Sequence, residues 1–134
     1  GAIMVAAGAS PYSLDEPRSW GNAASNYGSR IDVQGWVDSI VTVGGEDMTD
    51  LFFPENDLKQ AYTSYFGGTS GASAQIASVV AILNSISIAM HHKSIEPKLF
   101  RSLLVDSSYP PPESEEKLLG GQPNIELYLQ KYAH

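Results

Sequence analysis

The chain has 134 residues, 43% hydrophobic and 17% charged, the values of a globular domain with room for a core. Its 15 acidic and 8 basic residues leave a net charge of −7, which argues against a nucleic-acid partner, because phosphate binding wants a concentrated basic face. It has no cysteine, so disulfide frameworks, cysteine zinc sites and thiol nucleophiles are excluded.

In chain order, "AIMVAA" (residues 2–7) reads as a short strand, apolar on both faces as parallel strands between helix layers are. No basic stretch precedes it, so it does not read as a signal peptide. A chain that opens inside an apolar strand is expected to have been cut from a longer polypeptide. A Pro-, Ser-, Asn- and Gly-rich loop follows, then two short strands, "IDVQGW" and "SIVTVGG", each closed by glycine. Residues 45–60 form an acidic connector around Pro54, and "AYTSYF" is a further strand with β-favouring residues.

A long helix is predicted from about Ser70 to His92. No charged residue lies between Tyr62 and Met90, a stretch long enough to span a bilayer. Gln75, Asn84 and the serines at 70, 73, 78, 85 and 87 fit a helix buried in a soluble core better, so no membrane span is expected. A second helix lies in "SIEPKLFRSLLVDSS", with Ser94 as N-cap, Pro97 in its first turn, and Leu99, Leu103 and Leu104 on one face. "YPPPESEEKLLGGQ" reads as an exposed connector, and Pro123 opens a last short helix. Strands followed by three helices make an incomplete α/β layer.

The segment "SYFGGTSGASAQIASVVAIL" (residues 64–83) concentrates the chemistry. Gly67 and Gly68 allow unusual backbone angles and close approach of a substrate backbone. Ser70 falls at or near a helix N-terminus, where free N–H groups and the positive dipole end can hold a developing oxyanion. By spacing alone Ser70 reads as a helix cap, since caps vastly outnumber nucleophiles. There is no GK[ST] phosphate loop. The elbow G-x-S-x-G is missed at Ala72, although Ser70, Asp106 and His134 would satisfy its chain order for an esterase.

Taken together, these stretches resemble the C-terminal half of a subtilisin-like serine peptidase domain. "GTSGASAQIASVVAIL" is similar to that family's nucleophile motif, G-T-S-x-[AS]-[ST]-P, and its small-residue helix. "AASNYGSRIDVQGW" resembles the family's "FSNYGxxVDVxAPG", and "GAIMVAAGAS" the strand ahead of it. "SIVTVG" resembles the strand that precedes the serine loop. "SIEPKLFRSLLVDSS" is similar to "LSPxQVRxxLxxTA", and "GQPNIELYLQKY" to the closing "GxGxVNxxxAL". The resemblance covers nearly the whole chain, so residues 1–134 are expected to be half of a catalytic domain and not a complete one.

What the resemblance implies is an α/β, three-layer fold with a mostly parallel sheet and a long, central, buried helix starting at the nucleophile. It implies a serine endopeptidase acting on proteins or peptides, with Ser70 as nucleophile. The Ser70 N–H and the Thr69 hydroxyl would serve the oxyanion hole, and Gly67, Gly68 and Gly71 would border the substrate. The family's Asp and His motifs and its oxyanion Asn are absent, so the implied partner is the upstream half of the same domain, in the same or a separate chain. A serine without a base is a weak nucleophile, so this chain alone is expected to be inert. His91 and His92 lie about 30 Å along the helix from Ser70 and read as cations near a helix C-terminus. The alternative is an inactive pseudopeptidase used in binding or scaffolding.

The family's proline is Ala74 here, and "APG" has become "QGW" at Gln34 to Trp36. Gly71 replaces a frequent methionine beside the serine, which predicts loss of one route of peroxide inactivation. No cofactor is required. The family often binds structural calcium, but Glu46, Asp47, Asp50, Glu55 and Asp57 fit no EF-hand and read as a solvated loop, so no metal ligand is assigned. Trp20 reads as core, while Phe52 and Phe53 fit a core or a groove equally. Members of the family are mostly exported, which points to a secreted or periplasmic protein, and the absence of cysteine fits either side of a membrane.

Overall fold

A 24-residue helix, α1 (Gly68–His91), organises everything around it. The computed structural model describes residues 2–10, 25–44, 59, 61–110 and 119–132. Strand β1 (Val5–Gly8) runs parallel to β2 (Val33–Trp36), in a register that sets Val5 opposite Val33 and Gly8 opposite Trp36. Valine and alanine suit this pair because it is covered on both faces, and Ala6, Ala7 and Val33 are fully buried. The other pairs are antiparallel: β3 (Ile40–Val43) with β4 (Tyr62–Phe66), and β5 (Ser108–Tyr109) with β6 (Gln122–Pro123). Gly121 bridges in parallel to Val33, and the Gln34 amide N–H donates to its carbonyl, so the C-terminal segment borders β2.

The expected mostly parallel sheet is therefore not what forms among the described residues. One pair of three is parallel. The reason is visible in β3, where Ile40 and Thr42 are half-buried while Val41 and Val43 face solvent. That alternation belongs to a strand wet on one face, which antiparallel pairs tolerate and parallel ones do not.

Helix α1 begins two residues earlier than expected, and its burial differs more. Gly71, Ala72, Ile76, Leu83 and Ser87 are its buried residues, while Ile82, Ile88 and Met90 stay exposed. The reading of a core helix is met on one face only. By length and composition α1 could cross a membrane, yet only 11% of its apolar window is buried within this chain.

Helix α2 (Pro97–Asp106) starts at proline, which fits the first helical position because its missing N–H is not needed there. Its N-cap is Glu96, not Ser94. The Ser94 hydroxyl instead donates to Asn84 Oδ1 at 2.8 Å, and the Ile95 N–H donates to the same oxygen at 3.0 Å. Helix α3 (Ile125–Tyr132) likewise starts after Pro123, which lies in β6. Asn124 caps it by accepting the Leu127 N–H at 3.0 Å. The main core joins Val33, Ile76, Leu83, Phe100, Leu104 and Tyr128, and Ala6 packs with Leu119 on the opposite face of the parallel pair.

Asp32 ties three of these elements together. One carboxylate oxygen accepts from Arg101 Nη2 at 2.6 Å and Nε at 2.8 Å, and the other accepts the Met4 N–H at 2.8 Å. Burial alone would raise the Asp32 pKa. The Arg101 hydrogen bonds, the Met4 N–H and the charges of Arg101 and Arg30 outweigh it and hold the carboxyl below its ordinary value.

Candidate functional site at the start of the long helix

Strand β4 ends at Phe66, and the chain turns into α1 through two glycines. Gly67 is extended (φ −171°), but a Cβ there would sit 2.1 Å from the Val37 carbonyl oxygen. Gly68 has φ +75°, the left-handed region that favours glycine, and its N–H donates to the same Val37 oxygen at 2.6 Å. Gly71, one turn on, is buried, and a Cβ there would meet Ile40 Cδ1 at 2.5 Å. Gly68 alone is exposed, and the other two glycines have packing reasons to be glycine.

The helix start is pinned from the side as well. A Cβ on Gly35 would stand 2.7 Å from the Ala72 carbonyl, so β2 crosses α1 at backbone distance. Gln75 Oε1 accepts the Trp36 N–H at 2.8 Å. Gln75 and Gly35 are site-positioning residues that sequence reasoning missed. Gly35 sits within the departure from "APG", and only that departure pointed to it.

On this pinned turn Thr69 and Ser70 are exposed. No side chain caps α1, and its first turn carries no acidic residue. The Gly68 N–H is taken by Val37, whereas the Thr69 and Ser70 N–H groups have no partner among the described residues. The Ser70 hydroxyl has none either. Two free N–H groups at the positive end of a helix favour an anion beside that hydroxyl. The cap reading of Ser70 is not met: Ser70 is the third helical residue and caps nothing.

The other sequence candidates lie apart from this turn. His91 ends α1 and His92 is its C-cap, in the left-handed conformation with φ +54°. Asp106, the acid of the esterase reading, is occupied at the end of α2: the Tyr132 hydroxyl donates to it, and Lys131 Nζ approaches to 3.0 Å. Those two bonds hold its carboxyl below the ordinary range despite an opposing desolvation. His134, the acidic side chains of residues 46–57, Phe52, Phe53 and Trp20 lie outside the described residues. Among the described residues no three His, Cys, Asp or Glu side chains gather as a metal site.

No protein-family model matches the chain, and no curated protein matches it by sequence. Solved structures do match. A lanthipeptide protease superposes with a TM-score of 0.65 at 16% identity, over 97% of this chain and 42% of its own. A chain from the structure of the subtilase cytotoxin SubAB superposes with a TM-score of 0.59 at 19% identity, over 96% of this chain and 36% of its own. The mixed helix-and-strand fold is thus subtilase-like. This chain spans less than half the length of either neighbour.

Proposed function

We propose that this chain is the C-terminal half of a subtilisin-like catalytic domain, and that the complete protein is a serine endopeptidase with Ser70 as its nucleophile. The observation that carries the reading is the uncapped, solvent-facing Ser70 on a backbone-pinned glycine turn within a subtilase-like fold. Ser70 Oγ attacks the scissile carbonyl, its proton passing to a histidine of the upstream half, which an upstream aspartate orients. The Ser70 N–H and the Thr69 hydroxyl, with an upstream asparagine, stabilise the oxyanion at the positive end of α1. The leaving amine takes the proton from the histidine, and water then releases the acyl group from Ser70. Gly68, exposed beside Ser70, borders the peptide. No metal or other cofactor enters these steps.

A fluorophosphonate probe tests this on the complete protein, with peptide mapping. The expected result is a single adduct on Ser70, absent in Ser70→Ala. An unlabelled Ser70 in an intact, folded protein would favour the second reading, a pseudopeptidase that keeps the fold for binding. That reading draws on the fact that the described residues supply Ser70 with no base.

A further inference from the structure

At the opposite end of α1 from the serine turn, four pieces of chain surround a cavity of about 380 Å³. They are the last turn of α1, the link of residues 92–96, and parts of α2 and α3. Ile95, Leu99 and Leu103 supply apolar walls. Tyr128 and Tyr132 stand beside them with ring centroids 5.2 Å apart. At 1.5 Å rise per residue, the length of α1 from Ser70 to His91 puts this cavity about 30 Å from the serine. It takes part in no step of the reaction proposed above.

Most polar groups of the lining are accounted for. The Ser87 hydroxyl donates to the Lys93 carbonyl at 2.8 Å, the Ser94 hydroxyl to Asn84 Oδ1 at 2.8 Å, and the Tyr132 hydroxyl to Asp106. His91, Lys93 and Glu96 are exposed, so water hydrates them. Tyr128 is the exception. Only 5% of it is exposed, yet its hydroxyl has no partner among the described residues. Among those residues Gln34 Oε1 is the only fully enclosed side-chain polar atom without a partner, so the Tyr128 hydroxyl still touches open space. The cavity is the open space that Tyr128 lines. A buried, unpaired hydroxyl costs stability that a phenylalanine would not, and a partner from outside the chain removes that cost. Burial also holds the phenol above its ordinary pKa, so it stays protonated and able to donate.

We propose that this cavity binds a small apolar carboxylic acid, its carboxylate accepting from the Tyr128 hydroxyl and its hydrocarbon tail lying on Leu99 and Leu103. An anion is favoured over a neutral acceptor because His91 and Lys93 bring basic groups to the rim, neither with an ion-pair partner among the described residues. Glu96 is the one acid of the lining, and it disfavours a ligand with a second negative charge. A peptide C-terminus fits less well. Its backbone adds donors and acceptors beside the carboxylate, and the Ser87, Ser94 and Tyr132 hydroxyls that would answer them donate within the chain. A plain hydrocarbon tail needs no such answer, and Leu99, 51% exposed, gains from being covered. A volume of about 380 Å³ is at the small end for ligand pockets, which suits a short acid. The assignment does not depend on the peptidase reading.

Calorimetric titration of the complete protein with hexanoate, hexanamide and acetyl-alanyl-leucine tests this. Hexanoate is expected to bind saturably, and hexanamide about 10-fold more weakly, the scale of one charge-assisted bond. Tyr128→Phe should weaken hexanoate binding about 10-fold and leave the thermal midpoint in place, because it removes only an unpaired hydroxyl. Lys93→Gln, at the exposed rim, should weaken it about 3-fold. 3-Fluorotyrosine in place of Tyr128 locates the ligand, its fluorine resonance moving saturably as hexanoate is added. Absence of saturable binding overturns the proposal, as does hexanoate affinity unchanged by Tyr128→Phe, or hexanamide bound as tightly as hexanoate. A fluorine resonance that stays still while hexanoate binds puts the acid elsewhere and overturns it too. Acetyl-alanyl-leucine bound about 10-fold more tightly than hexanoate would assign the cavity to peptide ends, against the proposal. Fluorophosphonate labelling of Ser70 bears on none of these outcomes, so the site and the peptidase reading stand or fall separately.

Discussion

The two ends of α1 are built differently. At the C-terminal end the polar groups near the surface find partners within the chain: Asn84 holds Ser94 and Ile95, the Ser87 hydroxyl donates to the Lys93 carbonyl at 2.8 Å, and the His92 N–H returns to Ile88. Asp32 with Arg101, and Asp106 with Tyr132 and Lys131, lock α2 and α3 in place around it. At the N-terminal end the closest contacts run through Gly35, Gly67 and Gly71, and the N–H groups of Thr69 and Ser70 and the Ser70 hydroxyl have no partner among the described residues. One end closes on itself. The other is rigid and unfinished, as the proposed role of Ser70 requires.

Substitutions can break this contrast. The largest effect is expected for Gly67→Ala, which drives a methyl into the Val37 carbonyl, a backbone atom that cannot step aside. About 3 kcal/mol of stability should be lost in chemical denaturation, because the overpacking has no flexible neighbour to absorb it. A loss below about 0.5 kcal/mol, the range of a neutral surface change, would show that the turn is not pinned.

Asp32→Asn comes next, at about 2 kcal/mol, from weakened charge-assisted bonds at a buried acceptor. Its pH dependence has a definite sign. The folded-state pKa of Asp32 is depressed, so its contribution is fully present above the ordinary carboxylate value of about 3.9 and is lost as pH falls through the lower, folded value. The stability gap between wild type and Asp32→Asn should therefore close in acid below about pH 4. A gap that persists there would assign the effect to shape and not to charge.

Asn84→Ala should cost about 1 kcal/mol, the scale of a lost capping-type bond, and should loosen the entry to α2 without touching the serine turn. Amide exchange at Ile95 would report the loosening. Ser70→Ala stands at the small end for stability, within about 0.5 kcal/mol, because the hydroxyl has no partner to lose among the described residues. A markedly destabilised Ser70→Ala would mean that the N-terminal end uses its serine structurally after all.

Much of the fold was legible before any coordinates. The strands at residues 33–36, 40–43 and 62–66 and helices α2 and α3 fall within the stretches that β-branched runs, glycine stops and Pro97 marked out, while β1 and α1 overrun theirs by one and two residues. Pairing direction was not legible, because "SIVTVGG" and "AYTSYF" are too short for their alternation to separate a wet antiparallel pair from a buried parallel one. Ser94 and Pro123 misled for a similar reason. Each is a residue that starts helices, but a neighbour distant in sequence (Asn84 for Ser94, Ser108 for Pro123) uses it for something else. At the site, the glycines and Ser70 stood out by residue type alone. The role of Gln75, and the 69-residue reach from Asp32 to Arg101, depend on which segments meet in space and leave no local pattern.

Ser70 is proposed to be activated from outside this chain, and the pH dependence of its acylation tests that most directly. In the complete protein the rate of fluorophosphonate labelling at Ser70 should rise with pH through a single transition in the histidine range, near pH 6.5–7, as the upstream base loses its proton. A rate that is flat across that range, or an adduct at any residue other than Ser70, would contradict it.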